Sequence, residues 1–228
     1  MRWTAVLAVK QLTDAKSRLA DRFDEATRRQ LVLAMLADTL SAVLPEIADT
    51  AILVSPDPDV LAAANALGAQ PLREPAGEVG TINAAFALGL AAAWHADPST
   101  GVLIVQADLP AVRSAELAAA TAAAEQVLNG GAAAAFVADR DGSGTTTMFA
   151  GPRAQSPPIP ATDPAAAQHV PLHFGAGSAA AHTAAGAVEL IGDWPGLRAD
   201  VDTPEDLLVV ADLGVGPATR PLLAHRVC

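Results

Sequence analysis

The sequence predicts a single α/β domain with a mostly parallel central sheet flanked by helices. Short apolar runs bounded by turn residues alternate with longer helical patterns along the chain. One of these runs, Val102-Leu103-Ile104-Val105 between Gly101 and Asp108-Leu109-Pro110, has no polar face, so it reads as a parallel strand buried on both sides. The bulk numbers agree: 228 residues with 51% hydrophobic and 17% charged content suit one continuous core. Aromatic residues make up only 4% and Tyr is absent, so that core is built from Ala, Val, Leu and Ile with helices lying close to the sheet.

A net charge of −11 leaves no basic field for a nucleic-acid track, so any anionic ligand must be met by a few Lys or Arg, by helix ends or by bound cations. The single cysteine, Cys228, cannot form an internal disulfide and fits a reducing cytoplasm. The apolar run near the N-terminus is too short for a signal peptide, and no uninterrupted run is long enough for a membrane span.

In chain order, Thr4 to Val9 reads as the first strand and delivers Lys10 at its carboxyl end. The polar turn that follows carries Lys10, Lys16 and Arg18, three of only 14 basic residues. Such a concentration is either a solvated face or a clamp for a triphosphate. A helix from about Asp24 to Ala42 turns Leu31, Met35 and Leu36 inward and leaves Arg28, Arg29 and Asp38 wet. Thr50 to Ser55 is the second strand, Pro58 to Leu67 a helix stopped by Gly68, and Ala69 to Leu72 a short third strand. An Ala-rich helix spans about Ile82 to Trp94, and Asn83 at its start either caps it or meets a ligand.

Beyond the strand at Gly101, Asp108 stands where ligands collect in open α/β sheets, and it either holds a metal or caps the helix from Ser114 to Leu128. Ala132 to Ala138 is a strand, and DRDGSGTTT is a Gly142 and Gly144 turn leading Thr145 into another. Pro152 to Pro171 reads as a Pro-rich surface excursion. In HFGAGSAAAH, Gly175 and Gly177 precede Ser178 at the start of a helix, which offers amides and a hydroxyl to an anion or a plain serine cap. After a strand at Val188 to Ile191, Asp200 and Asp202 lie two apart on an extended segment, so their carboxylates share a face. Asp206 belongs to the helix begun by Thr203 or Pro204, and 214–228 reads as a closing arm.

Asp108, Asp200 and Asp202 thus fall at strand ends, flanked by two loops suited to phosphates. Clustered carboxylates repel one another, and a divalent cation removes that cost. Hard oxygen donors without internal Cys favour Mg²⁺ or Mn²⁺, shared with substrate phosphates. Neither a Walker sequence nor a GxGxxG follows the first strand, which speaks against a P-loop ATPase or a nicotinamide enzyme.

Taken together, LAVKQLTDAKSRLA, QADLP, DGSGTT, FGAGSAAAH, WPGLRADVDTPEDL and LGVGPAT closely resemble the CofC/FbiD guanylyltransferases of deazaflavin coenzyme F-420 biosynthesis, in order and over nearly the whole chain. The resemblance implies one nucleotidyltransferase domain over 1–228, Rossmann-like and of the nucleotide-diphospho-sugar transferase type. It implies a reaction of GTP with phosphoenolpyruvate, or with 2-phospho-L-lactate as in archaeal members, whose product passes to the deazaflavin transferase of the pathway. It also implies metal-binding and catalytic roles for Asp108, Asp200 and Asp202, phosphoenolpyruvate binding by Thr145, Gly175 and Ser178, and nucleotide binding by Lys10, Lys16, Arg18 and Asn83. Two departures stand out: Gly80-Thr81-Ile82-Asn83 replaces a Gly-Leu-Asn type segment, and the Pro152 to Pro171 insertion is longer than the family suggests. An acceptor that is already an anion needs no general base, which leaves His173 and His182 to structural or charge-partner roles. A MobA-like or sugar nucleotidyltransferase would keep the fold, but Val9-Lys10-Gln11-Leu12 occupies the place of its glycine loop. A non-catalytic nucleotide-binding subunit would use the acids only as caps.

Overall fold

The computed structural model describes residues 1–14, 16–75, 81–153 and 170–224. Most of the Pro-rich excursion (154–169), Gly80 and the chain end including Cys228 lie outside the described residues. The elements in order are β1 (Trp3–Ala8), α1 (Glu25–Val43), β2 (Thr50–Ser55), α2 (Pro58–Ala66), β3 (Gln70–Arg73), α3 (Ile82–Ala96), β4 (Gly101–Val105), α4 (Ser114–Asn129), β5 (Ala134–Ala138), β6 (Thr145–Ala150), α5 (Ser178–Ala184), β7 (Val188–Glu189), α6 (Pro204–Leu213) and α7 (Arg220–Ala224). The sheet has seven strands in the order β3-β2-β1-β4-β6-β5-β7. β1 pairs in parallel with both β2 and β4, β2 with β3, and β5 with β7, while β6 runs antiparallel between β4 and β5.

Alternation along the buried strands feeds two cores. Ala5, Leu7, Leu53, Leu103, Val105 and Phe149 face the layer that includes α1 and α4. Val6, Ile52, Val54, Val102, Ile104 and Met148 face α3 and α5. The close helix approach expected from the Ala-rich composition is visible at Gly89 of α3, where a Cβ would collide with Val6 and crowd Val54. Trp3 packs edge-on to Phe149, one of the few ring contacts in the core.

This topology positions the site. The chain moves from β1 to β2 and β3 on one side, then returns to lay β4 on the other side of β1. The connections therefore diverge between β1 and β4, and the crevice outside their carboxyl ends is where α/β sheets of this kind bind ligands. The antiparallel β6 begins at the same end, since Val105 pairs with Thr147 and Thr145 lies just beyond.

Two expectations need correction. Asp38 is buried rather than wet: its carboxylate accepts hydrogen bonds from the amides of Ala218 and Thr219. It docks the arm before α7 onto α1, and Gly216 makes room because a Cβ there would strike Asp38. The fifth and last strands are also shorter than expected at their ends. Ala132 and Ala133 precede β5, and Leu190 and Ile191 follow β7, which pairs with β5.

Candidate active site

β1 ends at Ala8, and the basic loop that follows is held by Asp57, which stands at the end of β2. One Asp57 oxygen accepts from the amide of Asp59 and so caps α2, while the other accepts from the amide of Leu12 at 3.0 Å. Farther along, Lys16 adopts a left-handed backbone with φ 52°, which turns its side chain into the crevice. Its ammonium bonds to Asp108 and, at 2.9 Å, to Asp202, and it is only 12% exposed. Arg18 lies 3.8 Å from the far oxygen of Asp202. Two of the three cations expected at nucleotide phosphates therefore rest on carboxylates. Lys10 is exposed and lines the cavity beside them.

Asp108 sits in the turn after β4, which Thr39 of α1 braces by accepting from the amide of Leu109 at 3.2 Å. The capping alternative is excluded, because Arg113 occupies the N-cap of α4 and Glu116 accepts from its amide. Asp200 and Asp202 do not lie in a hydrogen-bonded strand, yet the alternation expected for an extended segment persists. Ala199 and Val201 are buried while Asp200 and Asp202 reach outward. Asp206 fixes the turn, accepting from the amides of Asp202 and Thr203 and from the Thr203 hydroxyl.

The electrostatics follow from this grouping. Burial, then Asp108 and Asp202, push the Asp200 carboxyl up to about 7. Burial would lower the Lys16 ammonium, but Asp108 and Asp202 outweigh it and hold the pKa above the ordinary lysine value. Asp202 has the opposite balance: burial would raise it, and Lys16 with Arg18 brings it below the ordinary range. The second oxygen of Asp108 is buried with no hydrogen-bond partner among the described residues.

Two cavities meet here. One, of about 430 Å³, is lined by Lys10, Lys16, Ile82 and Asp108. The other, of about 550 Å³, is lined by Thr145, Gly175, Ser178 and Asp200. Gln106 and Asp202 belong to both. The larger cavity carries six carboxylates (Asp139, Asp141, Asp200, Asp202, Glu205, Asp206) against Arg18 and Arg140, so an anion entering it requires additional positive charge. Among the described residues no group of three His, Cys, Asp or Glu is arranged to enclose a metal ion unaided.

In the larger cavity the 173–178 loop is anchored from two sides. Asn83 accepts from the amide of Phe174 at 2.8 Å and donates to its carbonyl at 3.0 Å. It is therefore a clamp on this loop, and the helix cap of α3 is Thr81. His182 accepts from the amide of His173 at 2.9 Å and bonds Thr145 Oγ1 at 2.9 Å. Ser178 is not the cap of α5 either. Gly177 holds that position with φ 71°, and the amides of Ser178 and Ala179 already bond Gly175 and Ser143. What remains is the Ser178 hydroxyl, buried and, among the described residues, without a partner. The neighbouring hairpin turn is braced by Asp139, which accepts from the amides of Ser143 and Gly144; a Cβ on Gly144 would collide with that carboxylate.

The structure thus brings Lys16, Arg18, Asp108, Asp200 and Asp202 together at one place, and Thr145, Gly175 and Ser178 at another beside it. Sequence reasoning missed Gln106, which joins the cavities, and Arg140, which pairs with Asp206 at 3.1 Å. Gln106 directly precedes Ala107-Asp108, and that adjacency was the available signal.

Residues 3–155 match the family profile described as guanylyl transferase CofC like. The chain is 44% identical to the phosphoenolpyruvate guanylyltransferase of Mycolicibacterium vanbaalenii, with 96% of this chain and 94% of that protein covered. It is 43% identical to the phosphoenolpyruvate guanylyltransferase of Mycolicibacterium gilvum, again over 96% and 94%. Among solved structures, a protein from Desulfovibrio desulfuricans G20 described as a nucleotide-diphospho-sugar transferase superposes with a TM-score of 0.68 at 16% identity, covering 99% of this chain and 95% of that one. That likeness concerns the fold.

Proposed function

This chain belongs to the CofC-like guanylyl transferase family, and from that premise we propose that it joins phosphoenolpyruvate to GTP, giving enolpyruvyl-diphospho-5'-guanosine and pyrophosphate for coenzyme F-420 biosynthesis. The observation that carries the reading is the pair of cavities meeting at Asp202 and Gln106, with Lys16 held between Asp108 and Asp202 at the junction. A two-anion condensation needs two adjoining sites and a charged seam between them. A non-catalytic binding subunit needs only one.

GTP is assigned to the cavity with Lys10 and Lys16, and the acceptor to the cavity with Thr145, Gly175 and Ser178. A phosphate oxygen of the acceptor attacks the α-phosphorus of GTP in line. The new P–O bond forms as the bond to the β-phosphate oxygen breaks, and pyrophosphate leaves toward Lys10 and Lys16, with Arg18 against Asp202 at the seam. The nucleophile is already ionised, so no side chain has to remove a proton. The buried Ser178 hydroxyl and the Thr145 hydroxyl hold the acceptor phosphate. Lys16 keeps positive charge at the seam where the two phosphates approach, which offsets their repulsion.

The residues fit a divalent cation of the Mg²⁺ or Mn²⁺ kind. The unpartnered Asp108 oxygen, beside the smaller cavity, and the Asp200 carboxylate, in the acidic larger one, are hard donors, and Mg²⁺ commonly takes one or two carboxylates plus substrate phosphates. Such an ion, when bound, would neutralise charge on the reacting phosphates.

The test is incubation with GTP and divalent cation, offering phosphoenolpyruvate and 2-phospho-L-lactate in separate reactions. The downstream deazaflavin transferase is included to trap a labile product, read by mass spectrometry. Pyrophosphate and a guanylylated enolpyruvate adduct are expected with the first acid. Product from 2-phospho-L-lactate alone would reassign the acceptor, and no product from either would remove the reading.

A further inference from the structure

His182 is completely buried, and it stands on no path that the transfer reaction uses. Both of its ring nitrogens are nevertheless engaged. Nε2 receives the amide hydrogen of His173 at 2.9 Å, so that nitrogen carries a lone pair and no proton. In a neutral ring the proton then resides on Nδ1, which faces Thr145 Oγ1 at 2.9 Å. The ring therefore donates and the threonine hydroxyl accepts. That leaves the hydroxyl's own hydrogen uncommitted, and among the described residues no second protein group takes it. Thr145 is 4% exposed and lines the larger cavity together with the unpartnered Ser178 hydroxyl.

We infer that His182 is a positioning residue of the acceptor site: by fixing Thr145 as a hydrogen-bond acceptor on its inner side, it makes the threonine hydroxyl a donor toward the acceptor phosphate. The same ring ties that wall to the 173–177 loop through the His173 amide, so both walls of the site are set by one side chain. This rests on the acceptor assignment made under the proposed function. The surroundings hold the ring neutral: burial and the neighbouring His173 lower its pKa to about 4, and it lies among Phe136, Phe174 and His173 rings.

The direct test is ¹⁵N NMR of the imidazole in the unliganded wild-type protein. Protonated Nδ1 with bare Nε2 is expected; the opposite tautomer overturns the inference whatever the protein's substrate is. The functional test is a double-mutant cycle. His182→Phe and Thr145→Val should each raise the KM for the phosphorylated acceptor about tenfold, the scale of one hydrogen bond, while the KM for GTP stays within about twofold. The double variant should be no worse than Thr145→Val alone. His182→Asn, whose amide reaches the δ position, should recover part of the loss. Additive losses, or a His182→Phe variant with unchanged acceptor KM, refute the positioning role. If His182→Phe does not fold, the NMR tautomer still decides. A wild-type protein that guanylylates no acid removes the functional reading, and the NMR result then stands separately.

Discussion

The two cavities are built by opposite means. On the nucleotide side the key groups are long, charged and bound to one another: Lys16 spans Asp108 and Asp202, and Arg18 leans on Asp202. On the acceptor side they are short and neutral: buried Thr145 and His182 and half-buried Asn83 are held by hydrogen bonds to ring nitrogen and backbone, beside the buried Ser178 hydroxyl. A charge pair with an exposed member can exchange partners when phosphates arrive, since its net worth in water is small. A buried hydrogen-bonded network cannot, because each group left unpaired costs about 1–3 kcal/mol. The nucleotide side is thus arranged to trade partners, whereas the acceptor side is set before ligand binds.

The sharpest way to break this contrast is at the charged seam. Asp202→Asn should lower turnover at least about 100-fold, as loss of a group acting on developing charge does, while the thermal midpoint stays near wild type because Asp202 is 52% exposed. Asp108→Asn should lose as much turnover but also stability, since Asp108, at 19% exposed, is the more buried of the two carboxylates paired with the nearly buried Lys16. Steady-state kinetics with thermal unfolding separates the two, and full activity in either variant would remove the catalytic assignment.

Lys16→Met comes next. It should raise the KM for GTP roughly tenfold, one lost charge-assisted contact, and leave the acceptor KM nearly unchanged. An equal rise in both would mean that the two sides are not separately built.

Asn83→Ala sharpens the comparison from the other side. The structure gives both atoms of its amide to Phe174, so the variant should cost about 1–3 kcal/mol of stability and raise the acceptor KM. A selective rise in the KM for GTP would instead restore the nucleotide role that the family resemblance implies.

The smallest effect concerns pH. His182 has a folded pKa of about 4 against 6.5 for an unperturbed histidine. Below 6.5 the unfolded chain takes up a proton that the folded chain refuses, so stability contributed here is intact above 6.5 and is lost as pH falls toward 4. The wild-type thermal midpoint should therefore fall more steeply over that window than that of His182→Phe, measured by scanning calorimetry in matched buffers.

Element identity was legible because it depends on neighbours a few residues away. The unbroken GVLIV, the Gly68 stop and the two-residue spacing of Asp200 and Asp202 each carry a local periodicity. Even where no strand pairs at 199–202, alternation of buried and outward residues survives. Asp38 was expected to stay wet, and at Asn83 and Ser178 the choice between a cap and a ligand contact was left open, for a shared reason. Each has a local job that its residue type favours, namely a wet helix face or a helix cap, and in each the decisive neighbour lies elsewhere. Asp38 meets Ala218 and Thr219, Asn83 meets Phe174, and the Ser178 amide is taken by Gly175 while Gly177 occupies the cap.

By itself the sequence determined an α/β chain with one acid after a buried strand, two more spaced two apart on an extended segment, and two phosphate-suited loops, because hydrophobic period, turn residues and charge are properties of short stretches. Only the tertiary structure decided that Lys16 lies between Asp108 and Asp202, and that His182 and Thr145 share a proton-bearing contact. Those pairs are separated by 92, 186 and 37 positions. Contacts at such distances are set by the order of strands around β1 and β4, and no local pattern records that order.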